Sequence, residues 1–190
     1  MNQFEEHIQS DLHAYLLSMN EIEKRLPKNE DIEEKWQSIA EAYLPDGMRE
    51  YNSFPTASLG WMMYVGMAVA MFWDEDWAAY CKLDNIYTHL RDAQGYDTMD
   101  EHICRDILKL QDDDSDTTEK LVGECAARTD NILRHGGFEA GTKSAFYAYV
   151  DCLHQMYCMG AAVQLYRMGS SRIRISAPRY STFTISTVCF

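Results

Sequence analysis

The sequence has no cysteine pair at C-x-x-C spacing, no G-x-S-x-G, no P-loop and no G-x-G-x-x-G. The local signatures of thiol redox centres, zinc ribbons, α/β-hydrolases and nucleotide-binding loops are therefore missing. No Ser-His-Asp set is legible either. Positive charge is scarce: 17 Lys and Arg stand against 30 Asp and Glu, a formal net charge of −13. Such a chain repels nucleic acid phosphates and anionic lipid, and no basic stripe offsets this, so neither nucleic acid nor membrane is an expected partner. No internal repeat is visible, which argues against a solenoid. Met1 to Glu6 is polar and acidic, unlike a secretory leader. The six cysteines, Cys81, Cys104, Cys125, Cys152, Cys158 and Cys189, are unpaired in spacing and mostly lie in apolar surroundings. They read as packed, reduced thiols, which points to a cytoplasmic location.

Charge is also absent from one internal stretch. Between Ala57 and Trp73 no residue is charged and only Ser58 is clearly polar. The stretch is shorter than the roughly 20 residues a membrane span needs, and it exits into Asp74, Glu75 and Asp76. It reads as the core helix of a bundle. Gly60, Gly66, Ala68 and Ala70 leave little side chain on it, so a neighbouring backbone can come close. The only comparable stretch is Ser144 to Met168, its expected partner. A length of 190 residues suits one domain. The expectation is an all-α bundle of six to seven helices, wrapped around two central apolar helices at 56–73 and 143–168. Residues 1–168 form the domain and 169–190 a divergent tail.

The other helices follow from period and punctuation. Phe4, Ile8, Leu12, Leu16, Met19, Ile22 and Leu26 recur at helical spacing, predicting a helix from Asn2 to Leu26 that Pro27 ends. Asn29 caps a second helix with Ile32, Trp36, Ile39 and Tyr43 inward, stopped by Leu44-Pro45-Asp46-Gly47. The third starts near Pro55 or Thr56 and bends or stops near Asp74 to Asp76. Helix resumes from Trp77 to Ala93 and closes at Gly95. Thr98 and Glu101 have capping-box spacing, so a helix is expected from Met99 to about Leu110. Gln111 to Thr118 reads as an acidic connection. Helices follow over Glu119–His135 and from Thr142 to Gly169.

The tail, from Gly169 to Phe190, carries Arg172, Arg174 and Arg179 and no acid. It is rich in Ser, Thr and β-branched residues. Three readings stay open: a disordered end, a strand or arm docked on an acidic surface, or an altered reading frame.

Few polar groups suggest chemistry. Asp151 and His154 lie three apart in the last long helix, so they share a face and can converge on one proton or one ion. A ferritin-like di-metal site needs a second acid-x-x-His pair and further carboxylates, and the third helix supplies none before Asp74. No metal centre, catalytic set or cofactor is therefore expected. Asp151 and His154 can instead satisfy one another in a tight bundle. Trp61, Tyr64 and Tyr157, with other aromatics nearby, can line a ligand pocket beside them, or simply form an aromatic core. His7, His13, His89, His102 and His135 read as surface or capping residues. Asp112 to Asp116 resembles a calcium loop, but position 6 is Thr117 where Gly is required and position 12 is Gly123 where Glu is required.

Two runs, AYLPDGMREYNSFPTASLGWMMYVGMAVAMFWDEDWAAY and CLHQMYCMGAAVQLYRMG, resemble an uncharacterised, all-helical family of gut Bacteroidetes-type bacteria. The resemblance covers about residues 1–168 and implies a bacterial, all-helical protein. It implies no activity and no functional residue. The chain after Met168 departs from the helical, basic end that the resemblance implies.

Three function classes follow. The first is a non-enzymatic interaction or structural protein, pairing with itself or another protein. The second is a small-ligand-binding bundle with Asp151, His154, Trp61, Tyr64 and Tyr157 around the site. The third is a metal-dependent enzyme, which requires at least two more His, Asp or Glu side chains beside His154.

Overall fold

The computed structural model describes residues 2–169, and every regular element among them is helical. Eight α-helices run in chain order: α1 (Gln3–Ser18), α2 (Glu30–Glu34), α3 (Trp36–Tyr51), α4 (Pro55–Tyr80), α5 (Ile86–Gln94), α6 (Met99–His102), α7 (Asp112–His135) and α8 (Lys143–Arg167). A π-helical turn, Ile103–Ile107, extends α6. The tail readings concern residues outside the described range.

The axis of the bundle is the crossing of α4 and α8. A Cβ added to Gly66 would sit 2.1 Å from the backbone oxygen of Tyr157, and one on Gly160 would sit 2.0 Å from that of Met63. Each helix thus presses its backbone into a glycine of the other. By length and composition α4 could cross a membrane, yet 72% of its apolar window is buried inside the bundle. The one clearly polar residue between Ala57 and Trp73, Ser58, is fully buried and fully engaged. The Ser58 hydroxyl donates to the Gly47 carbonyl at 2.8 Å and meets the Tyr149 hydroxyl at 2.6 Å, while Tyr43 donates to the Ser58 carbonyl. A buried hydroxyl without partners would be costly, and here it ties three helices together.

Several boundaries differ from expectation. The first helix ends at Ser18, because Asn20 takes a left-handed conformation (φ 58°) and turns the chain. Ile22 is still buried, now from an irregular segment. Asn29 caps α2 by accepting from the Ile32 amide, and after one loosened turn at Lys35, which keeps a right-handed helical backbone, α3 carries the helix on with Ile39 and Tyr43 buried. Pro45 and Gly47 do not stop α3. Side-chain bonds hold that turn helical instead: Tyr87 and Arg91 donate to Asp46, and Ser58 to Gly47. Tertiary bonding outweighs turn propensity there. The fourth helix is kinked at Asp76 (φ −158°, ψ 74°), as the acidic run suggested, and stops at Tyr80. Asn85 then caps α5 through the Thr88 amide. The Thr98–Glu101 capping box does not form. Thr98 donates to the Gln94 carbonyl, and Asp100 accepts from the Glu101 amide. The acidic run from Asp112 is not a connection but the first turn of α7, where carboxylates meet the positive helix end.

Candidate functional site

His154 does not face α4. It projects from α8 toward α1 and α2, and both of its ring nitrogens meet carboxylates there. Nδ1 lies 2.9 Å from Glu5 Oε1, and Nε2 lies 2.7 Å from Glu33 Oε1. Asp151 is not its partner. The Asp151 carboxylate accepts from the Asn2 side chain at 2.8 Å, and the Asn2 carbonyl oxygen of that same side chain caps the Glu5 amide. Asp151 therefore fastens the start of α1 to α8, which sets Glu5 over the imidazole. Burial raises the Asp151 pKa, and the Asn2 bond opposes this.

Other residues fix each component. Gln155, one residue on from His154, is buried and donates to the same Glu5 oxygen at 3.0 Å, while Gln9 donates to Gln155 at 3.3 Å. The Trp36 ring lies over the imidazole at 4.8 Å between centroids and also contacts Tyr157 at 5.5 Å. Tyr157 is buried, and its hydroxyl donates to the Ile32 carbonyl at 2.8 Å. This bond docks α2 on α8 and holds Glu33 in reach. Trp73 adds a second tie, donating to Asp31.

The site contains one more group. Cys158 stands four residues after His154, on the same helical face. Its sulfur lies 3.6 Å from Glu33 Oε2. One donor atom each from Glu33, His154 and Cys158 all fall within 4.8 Å of one another. They open into a cleft of about 680 Å³ between α1, α8 and residues 26–30, lined in part by Glu30, Lys28 and Asn29. The side chains of Glu5 and His154 are 11% and 21% exposed, whereas that of Glu33 is 55% exposed and free to adjust.

The electrostatics are those of a cation held between anions. Burial works against charge on the imidazole. The bonds with Cys158, Glu33 and Glu5 outweigh it and push the His154 pKa up to about 11. The same His154 bond holds Glu33 below the usual carboxylate range, against burial. Burial pushes the Cys158 thiol up. The contacts thus favour charge on the imidazole, and burial favours the thiol form of Cys158.

The five residues singled out from sequence separate into two regions. Asp151, His154 and Tyr157 belong to this site, Asp151 and Tyr157 as supports. Trp61 and Tyr64 lie elsewhere, in a second cleft of about 390 Å³ between α4, α6 and α7, with Asp100 and Glu119. Trp61 packs there against Tyr64 and Tyr96. Glu5, Glu33, Cys158 and Trp36 were not legible as site residues. The His154–Cys158 spacing was the one local signal available. Glu5 and Glu33 lie 149 and 121 residues away, and only the fold brings them in.

Comparison with known protein families, with curated proteins and with solved structures finds no match to this chain.

Proposed function

We propose that the protein is a ligand-binding helical bundle whose site is the His154 cleft, and that it takes a small cationic ligand. The observation that carries this reading is the clamped histidine at the cleft floor. Carboxylates from two other helices converge on it, and a thiol and a further acid, Glu30, stand beside it. Collecting titratable groups at a half-buried position costs desolvation that apolar packing would avoid. An open cleft at that same position gives the arrangement a use. The acidic lining favours a cation over an anion.

The test is the imidazole resonance of His154 in a ¹H–¹⁵N spectrum, followed as zinc or the organic dication putrescine is added. A saturable shift with either probe is expected. No shift with both would overturn the reading.

A different observation favours a protein-interaction role. A groove of about 450 Å³ at the other end of α8 is lined by Met48, Tyr51, Leu133, Phe138, Phe146 and Tyr149. Met48 and Phe146 are exposed there, and so is neighbouring Tyr147. If this face joins two copies, Phe146→Glu will lower the mass measured by light scattering. A monomer unchanged by the substitution removes that reading.

A further inference from the structure

We infer that the ligand of the His154 cleft is a divalent transition metal of the zinc class, bound by Glu33, His154 Nε2 and Cys158. This rests on the ligand-binding reading above and goes beyond it by naming the donors and the ion. The first support is the donor set. Imidazole, thiolate and carboxylate together suit zinc and its neighbours, whereas magnesium and calcium take oxygen ligands.

The second support is spacing. A tetrahedral ion with bonds of about 2.0–2.3 Å needs ligand atoms roughly 3.3–3.6 Å apart. Glu33 turns a different oxygen to each partner: Oε2 stands 3.6 Å from Cys158 Sγ, and with one donor atom per residue all three lie within 4.8 Å, so the more distant ligands must draw together slightly around an ion. His154 Nε2 and Glu33 Oε1 stand at 2.7 Å and must open by about half an ångström or a little more. The mobile partner is the right one, since the Glu33 side chain is mostly exposed while His154 is not.

The third support is the shell behind the ligands. Metal-bound histidines commonly donate their second ring N–H to a carboxylate, which fixes the tautomer and strengthens the ligand. Glu5 stands at Nδ1 in that role, at 2.9 Å. Glu5 is itself fixed by Gln155, and Gln155 by Gln9. The Trp36 ring sets the plane of the imidazole. An ordinary surface ion pair has no need of so layered a support. Binding displaces the proton on Nε2 and the thiol proton of Cys158 to solvent, leaving Nδ1–H on Glu5. Three protein ligands leave a fourth position, which opens on the cleft as in metal sites that accept water or a substrate.

The experiment uses the full chain, stripped with a chelator and titrated with cobalt(II). Cobalt reports a thiolate ligand by a near-ultraviolet charge-transfer band and tetrahedral geometry by intense visible bands. Parent protein is expected to show both, saturating at one ion per chain, and zinc is expected to abolish them. Cys158→Ser is expected to lose the charge-transfer band, while Cys81→Ser, altering a thiol outside the site, keeps it. Glu33→Gln, at an exposed side chain that leaves the fold intact, is expected to weaken binding at least tenfold. Glu5→Gln is expected to weaken it 10–100-fold with the charge-transfer band retained. Absence of the bands in the parent overturns the inference, as does a charge-transfer band that persists in Cys158→Ser. So does cobalt affinity unchanged in Glu33→Gln. Putrescine shifting His154 while cobalt gives no bands overturns the metal assignment and leaves the ligand-binding reading standing. Silence from both probes removes both.

Discussion

At the scale of single residues, the molecule turns on a few buried polar groups and the partners they find. His154 is the extreme case. Removing its side chain leaves Glu5 facing only Gln155, in a place where its carboxylate is largely shielded from water. His154→Ala should therefore lower metal-free stability by about 1–3 kcal/mol in urea unfolding. The double variant with Glu5→Gln should lose less than the sum of the single losses, because the two share one interaction. Strict additivity would show that the pair is uncoupled. Asp100 is the opposite case. Burial, backed by the fields of Glu101 and Glu119, raises its pKa against the capping bonds it accepts. An acid raised in the fold is destabilising in its charged form. The penalty is absent below its ordinary value of 3.8 and grows as pH rises through the raised value. Asp100→Asn should melt above the parent near pH ~7 and level with it near pH ~3. A gap that does not change with pH would contradict this. The sequence could place Asp151 and His154 on one face but could not choose their partners. Asp151 and Asn2 are 149 residues apart, and spacing along a helix says nothing about which distant element meets it.

At the scale of elements, the apolar runs and their small residues carried the most information. The glycines of the long apolar stretch foretold a close backbone crossing, and Gly66 sits in one. Because a Cβ there would lie 2.1 Å from backbone rather than from a pliant side chain, Gly66→Ala should already destabilise, by roughly 1–3 kcal/mol, and Gly66→Leu by no less. Gly160→Ala should behave alike. The two together should cost less than their sum, since one separation of α4 from α8 relieves both clashes. An unaltered melting temperature for either single variant would contradict the crossing. Gly123 provides the control. It lies within α7, and a Cβ there meets nothing within 4 Å. Gly123→Ala should stabilise by about 0.5–1 kcal/mol through helix propensity alone. Helix ends were less legible, for a physical reason. The stop at Pro45–Gly47 is a local signal that lost to bonds made across the fold by Asp46 and Ser58, while the capping box at Thr98 lost to competing local bonds, Thr98 turning back to Gln94 and Asp100 taking the Glu101 amide.

At the scale of the whole molecule, the sequence-level expectation of an all-α bundle around two apolar helices holds. What differs is where the polar cluster around His154 lies. Asp151 and His154 were expected to share a site with Trp61 and Tyr64 of the apolar third helix, yet it is α1 and α2 that bring Glu5 and Glu33 to His154. Glu5 stands behind Nδ1 and Glu33 at Nε2 beside Cys158, so of the two acids only Glu33 is placed where an ion would share His154. Glu33 stands on α2, so a bound ion would fasten α2 to α8 in addition to the Tyr157–Ile32 bond. Ion binding should therefore appear as folding free energy. The most direct measurement is the unfolding free energy of chelator-treated protein with and without zinc, for the parent and for Glu33→Gln. The account predicts a gain in the parent of about 2.7 kcal/mol when free zinc is 100 times its dissociation constant, and a gain in Glu33→Gln smaller by at least about 1 kcal/mol at the same concentration. Parent protein whose stability is indifferent to zinc, or a Glu33→Gln variant stabilised as much as the parent, would contradict it.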